Sequence, residues 1–73
     1  MDLPARASWR PHELVVAAGL APSNSEAARL LRQGAVRLDG RPLDPSAPVP
    51  LGAAPVVLSV GAKRHRRIRS ILP

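Results

Sequence analysis

The residues best equipped for chemistry in this chain are its cations. Lys63-Arg64-His65-Arg66-Arg67-Ile68-Arg69 sets five positive side chains in a short run that holds no acid. Arg29 and Arg32 stand three apart, a spacing that puts both on one side of a helix. A guanidinium offers a planar fork of N–H donors matched to two phosphate oxygens, so arginines on a fixed frame suit a polyanion. Ser23-Asn24-Ser25 stands at a helix start, where backbone N–H groups and the helix dipole favour an anion. The spacing therefore groups Ser23, Asn24, Arg29 and Arg32 into one track, which Arg37 is expected to extend onto the following strand. Lys63, Arg64 and Arg66 make a second contact surface on the basic end strand.

Some of these residues have structural work to do as well. Ser23 and Glu26 have the spacing of a capping box. The serine oxygen would accept the N–H of Glu26 while the glutamate reaches back to the N–H of Ser23. Both are structural first. Trp9, the sole aromatic ring, is expected to pack against the first helix rather than stack on a base. His65 is read as polar surface next to the cations, able to touch a base or a phosphate.

Other chemistries find no foothold. There is no cysteine, so disulfides and thiolate metal sites are excluded, and His12 and His65 lack ligand spacing; no metal or cofactor is expected. No paired carboxylate, nucleophile–base pair or phosphate-cradling glycine loop is present, so no catalytic residue is assigned. The apolar run from Leu14 to Ala18 is too short to span a membrane, and the first ten residues lack the apolar stretch of a signal peptide. The expected compartment is the cytoplasm. Eleven Lys and Arg against five Asp and Glu leave a net charge of +6 on 73 residues, a field that attracts nucleic acid.

The elements that must position these cations are short. Residues 1–10 show no period and read as a linker; residues 11–73 read as one domain. Pro11 opens a first helix with Leu14, Ala17 and Ala18 on one face, and Gly19 closes it. The second helix runs from Ser23 to Gln33, with Ala27, Leu30 and Leu31 inward and Ser25, Arg29 and Arg32 outward; Gly34 ends it. Val36-Arg37-Leu38 alternates as a strand, and Asp39-Gly40 signals a type I′ hairpin returning through Arg41-Pro42-Leu43. A proline-stiffened loop spans Asp44 to Pro55, followed by Val56–Val60, the strongest strand. On the basic strand, Lys63, His65 and Arg67 share one face and Arg64 and Arg66 the other, while Ile68, Ile71 and Leu72 dock the tail. The fold class is α+β: a helical hairpin packed on a small, twisted, mostly antiparallel sheet.

The run Ala18-Gly19-Leu20-Ala21-Pro22-Ser23-Asn24-Ser25-Glu26-Ala27-Ala28-Arg29-Leu30-Leu31-Arg32-Gln33-Gly34-Ala35-Val36-Arg37-Leu38-Asp39-Gly40 resembles the signature of the ribosomal-protein-S-four-type RNA-binding domain. Leu58-Ser59-Val60-Gly61 and the basic run resemble its closing strand. The likeness extends from about Pro11 to Ile68, and Ala-Gly-Leu-Ala-Pro-Ser most resembles the C-terminal domain of bacterial tyrosyl-tRNA synthetases. That resemblance implies an alpha-L-type RNA-binding motif that helps hold tyrosine tRNA. It implies a piece of a longer, homodimeric ligase whose adenylate chemistry lies elsewhere. It also implies RNA-facing roles for Ser23, Asn24, Arg29, Arg32, Gln33 and Lys63. The chain departs from the pattern at Asn24 and Ala28, where cations are common, near His65, where an aromatic is common, and at Ala62, which interrupts a glycine-then-cations run. Other readings are a free-standing ribosome-associated protein of the heat-shock or stalled-ribosome type contacting ribosomal RNA or tRNA, the RNA clamp of a pseudouridine synthase, and a basic protein-interaction module.

Overall fold

A computed structural model describes residues 2–3 and 8–70. The elements in chain order are β1 (Asp2–Leu3), α1 (Pro11–Ala17), α2 (Asn24–Arg32), β2 (Val36–Leu38), β3 (Arg41–Pro42), β4 (Val56–Val60) and β5 (Arg64–Ser70). They form one sheet in the order β1-β5-β4-β2-β3, antiparallel throughout except for the parallel β1–β5 pair. The two helices pack on one face of it, which is the expected α+β architecture.

Local chemistry sets the boundaries. Pro11 occupies the start of α1, where its missing N–H leaves no bond unmade. Gly19, at φ +77°, turns the chain out of α1, and Gly34, at φ +72°, does the same after α2. Asp39 at φ 51° and Gly40 at φ 84° give the two positive values of a type I′ turn, with Leu38 paired to Arg41 across it. The Asp39 side chain also accepts the Val57 N–H at 2.9 Å, pinning the turn to β4.

The core is aliphatic. Leu14, Val15, Val36, Leu58 and Ile68 are its largest fully buried side chains, joined by Ala18 at the end of α1 and by Ala27 and Leu31 of α2. Two helix faces differ from the sequence reading. On α1, Val15 is buried while Ala17 sits at the core margin; on α2, Leu31 is 3% exposed while Leu30 is partly buried. The phase of each helix is thus set by how it docks, a few tens of degrees from the phase read off the apolar residues.

The segment read as a linker contributes to the fold at two places. Asp2 and Leu3 pair with Arg69 and Ser70 of β5, burying Leu3. Trp9 is 4% exposed and joins Val49 in a bridge of two 2.8 Å backbone hydrogen bonds. The tryptophan is therefore a core residue that ties the N-terminal segment to the proline-rich loop. The Ser70 N–H, bonded to the Gly52 carbonyl at 2.9 Å, ties the same loop to the end of β5. Ile71 and Leu72 lie outside the described residues.

Candidate nucleic-acid interface

Period two on β5 decides where the cations go. Ile68 and Ser70 are buried on the helix-facing side, so Arg64 and Arg66 share that side with them, and His65, Arg67 and Arg69 face away. Arg64 and Arg66 lie nearer the hairpin end of the strand, where they reach past the core toward the α1–α2 connection. Arg64 donates from Nη1 to the Leu20 carbonyl at 3.1 Å. The Arg66 guanidinium lies over Gly19, 3.9 Å from where a Cβ would stand. Arg64 is thus held at the junction of the two helices, and the Arg66 guanidinium lies beside it.

The start of α2 stands at that junction. Ser23 is the N-cap, and its Oγ accepts the Glu26 N–H at 3.2 Å, as the capping box requires. The reciprocal half of the box is absent, because Glu26 turns its carboxylate along the helix. Arg29 Nε donates to one of its oxygens at 3.2 Å and Arg29 Nη2 to the other. The hydrogen bonds from Arg29, helped by the positive charges of Arg29 and Arg64, hold the Glu26 carboxyl below its ordinary range. The same pair pushes Arg29 further toward its charged form. Arg29 is thus partly neutralised, at the helix end where a carboxylate suits the dipole.

The far end of α2 carries the rest of this surface. Arg32 and the C-cap Gln33 are exposed. Ala35, just beyond, accepts the Gly61 N–H at 2.9 Å, so the β4–β5 turn that holds Lys63 lies against the end of α2. Lys63 is exposed in that turn and not in the strand. The helix side therefore gathers Ser23, Asn24, Arg64 and Arg66 around the start of α2, and Arg29, Arg32, Gln33 and Lys63 along its last turn and just beyond. Over the nine residues of the helix, these ends stand about 12 Å apart.

Arg37 does not belong to this surface. Val36 and Leu38 flank it and face the helices, so Arg37 points from the opposite face of the sheet, opposite Ser59. The alternation was legible in Val36-Arg37-Leu38 itself, and a residue on the side away from Val36 could not continue a helix track. The anchoring role of the Leu20 carbonyl could not be read from sequence, because it depends on a contact between residues 44 apart.

A surface depression of about 520 Å³ is lined by Ser8, Arg10, Pro11, His12, Pro45, Ser46 and Pro48. Among the described residues, no three of His, Asp and Glu converge as metal ligands. What the helix side offers is a set of donors and positive charges carried on a packed frame.

Comparisons with known proteins agree with this architecture. The S4 domain matches residues 12–54, which hold both helices and the β2–β3 hairpin. The tyrosine–tRNA ligase of Moorella thermoacetica is 48% identical over 63 residues, covering 85% of this chain and 15% of its own length. That of Xanthomonas oryzae is 39% identical over 59 residues, covering 81% and 15%. The ligase of Oleidesulfovibrio alaskensis is 43% identical over 58 residues, covering 80% and 14%. The chain thus spans about 15% of the length of the curated relatives it matches. Its two helices, their glycine-closed turns and the type I′ hairpin all fall within the matched stretch, and the chain belongs to the S4 domain family.

Proposed function

We propose that this chain is an RNA-binding module that holds a folded RNA by its phosphates, and that the RNA is a tRNA, tyrosine tRNA in particular, gripped on behalf of a tyrosine–tRNA ligase. The carrying observation is the convergence of Arg64 and Arg66 with the start of α2, while Arg32 and Lys63 extend the positive surface to its other end. Phosphates are matched by charge and donor geometry, with no need for a pocket. The relatives' names support the choice of RNA. In this role the domain binds and orients, while aminoacylation belongs to the rest of such a ligase; it would work in the cytoplasm, where tRNA is charged.

Arg32 and Arg66 make the sharper test than Arg29, which is committed to Glu26. Arg32→Gln with Arg66→Gln removes two exposed cations. If each meets one phosphate, the slope of log affinity against log salt falls by about 2, and binding weakens uniformly across RNA sequences. Titrating tyrosine tRNA and a tRNA with a short variable arm, at several salt concentrations, reads both quantities. Equal affinity for the two tRNAs would remove the tyrosine assignment; an unchanged salt slope in the double variant would remove the helix-side surface.

A further inference from the structure

The face of the sheet turned away from the helices carries its own charge, and no described element packs on it. Across β3, β2, β4 and β5, one row reads Pro42, Arg37, Ser59 and His65, paired residue to residue. The next row sets Val57 against Arg67, and Arg69 follows beside Asp2 at the β1 edge. With strands about 4.8 Å apart and a rise of about 3.4 Å per residue, the Arg37 and Arg67 backbones stand roughly 12 Å from one another. The Arg37 side chain spends one N–H on the Gly40 carbonyl, a long contact of 3.4 Å, which leaves most of its donors available. Of the acids bordering this face, Asp2 accepts from Arg69 Nε at 2.7 Å and Asp39 accepts from the Val57 N–H at 2.9 Å.

We infer that this sheet face, centred on Arg37, His65 and Arg67, is a second phosphate-binding surface, so that the domain bridges two segments of RNA. The inference rests on the RNA-binding reading of the helix side and extends it to the opposite side. The composition of the face selects the occupant. A protein partner needs a desolvated apolar centre within about 800 Å² of contact per side. Among the described residues, Val57, at 39% exposure, is the one large apolar side chain the molecule leaves out. A phosphodiester backbone needs cations and hydrogen-bond donors, which this face supplies; with Trp9 buried and no Phe or Tyr in the chain, His65 is the one aromatic ring on this face and successive bases have no row of aromatic side chains to stack on. Because β5 sends Arg64 and Arg66 to one face and His65 and Arg67 to the other, a stiff RNA helix resting on one set does not reach the other.

The test is stoichiometry, read on the full chain with a short blunt RNA duplex at low salt by sedimentation or native mass spectrometry. The wild type is expected to take two duplexes, the triple variant Arg37→Gln, His65→Gln, Arg67→Gln one, and Arg37→Lys with Arg67→Lys two. Saturation of the wild type at one duplex overturns the inference and leaves the helix-side reading standing, as does a triple variant, folded by circular dichroism, that still takes two. A wild type that takes none overturns both. Should the triple variant fail to fold, the wild-type count and the lysine variant decide alone.

Discussion

Leu30 and Leu31 are adjacent, chemically identical and unequal in the fold, and replacing each by Ala tests the helix phase on which the candidate interface depends. Leu31 is 3% exposed and Leu30 sits at the core margin. Truncating a buried Leu costs about 2–5 kcal/mol, through lost transfer energy and the cavity left behind. Leu31→Ala is therefore expected to cost about 3 kcal/mol and Leu30→Ala roughly half that. A chain of 73 residues has a total stability of roughly 4–11 kcal/mol, so the first substitution removes a large share. At a urea dependence of about 1 kcal/mol per molar, the midpoints fall by about 3 M and 1.5 M. Trp9 is the only tryptophan and is buried beside Val49, so its fluorescence reports unfolding without a competing signal. A larger loss at Leu30 than at Leu31 would refute the phase. Neighbouring helix positions lie about 100° apart, so such a result would carry Arg29 and Arg32 away from the surface assigned to them.

Three further outcomes follow from single contacts. Arg64→Met keeps the aliphatic stem but leaves the half-buried Leu20 carbonyl without its charged donor; a loss of about 1–3 kcal/mol in urea unfolding is expected, and a neutral effect would mean water replaces the guanidinium. Gly19→Ala forces a side chain into the left-handed region in a place where the nearest group is only in ordinary contact, so strain alone should cost about 1–2 kcal/mol by thermal unfolding. Hydrogen bonds from Arg69, Arg29 and Ser46 hold the carboxyls of Asp2, Glu26 and Asp44 below their ordinary values. Lowered folded values mean that this stability is fully present above the unfolded carboxyl range, near pH 4, and is lost as pH falls through the folded values. Since all three sites are open to solvent, the acid-side decline should be small and should shrink further in salt; a decline that begins near pH 6 would point to a different group.

The elements whose signals are local were legible in the residues. Ser23 with Glu26, Pro11, the glycines after each helix and Asp39-Gly40 each act through the backbone of their own few residues, and each boundary lies where that chemistry puts it. The side-chain pairing of Glu26 was not legible: Ser23 N–H and Arg29 compete for one carboxylate, and the charged partner prevails because a charge-assisted bidentate contact outweighs a single bond to an amide. On β5 the alternation of cations was legible but its orientation needed Ile68 as the buried reference, and Arg37 needed Val36 in the same way. Long-range contacts lay beyond reach. Trp9 meets Val49, and Asp2 meets Arg69, across intervals that no local period encodes.

Those two contacts bear on where the folding unit starts. Residues 1–10 look like a tether when judged by period alone, yet Leu3 and Trp9 both lie in the apolar core cluster. Removing a buried Trp costs about 3–5 kcal/mol, and deleting the segment also removes the bridge to Val49, leaving the loop restrained by the Ser70–Gly52 bond and by what remains of the packing of Val49 and Leu51. Against a total of roughly 4–11 kcal/mol, deletion of residues 1–9 should leave a chain that unfolds at much lower temperature, with a broad transition by far-ultraviolet circular dichroism. A finer variant separates packing from chain length: Trp9→Ala in the full chain should account for most of the loss, and Asp2→Asn, which breaks only an exposed ion pair, for very little. If residues 10–73 melt where the full chain does, the N-terminal segment is a tether after all and the core closes without its ring. If they do not, any attempt to transplant this RNA grip onto another protein must carry the first nine residues with it.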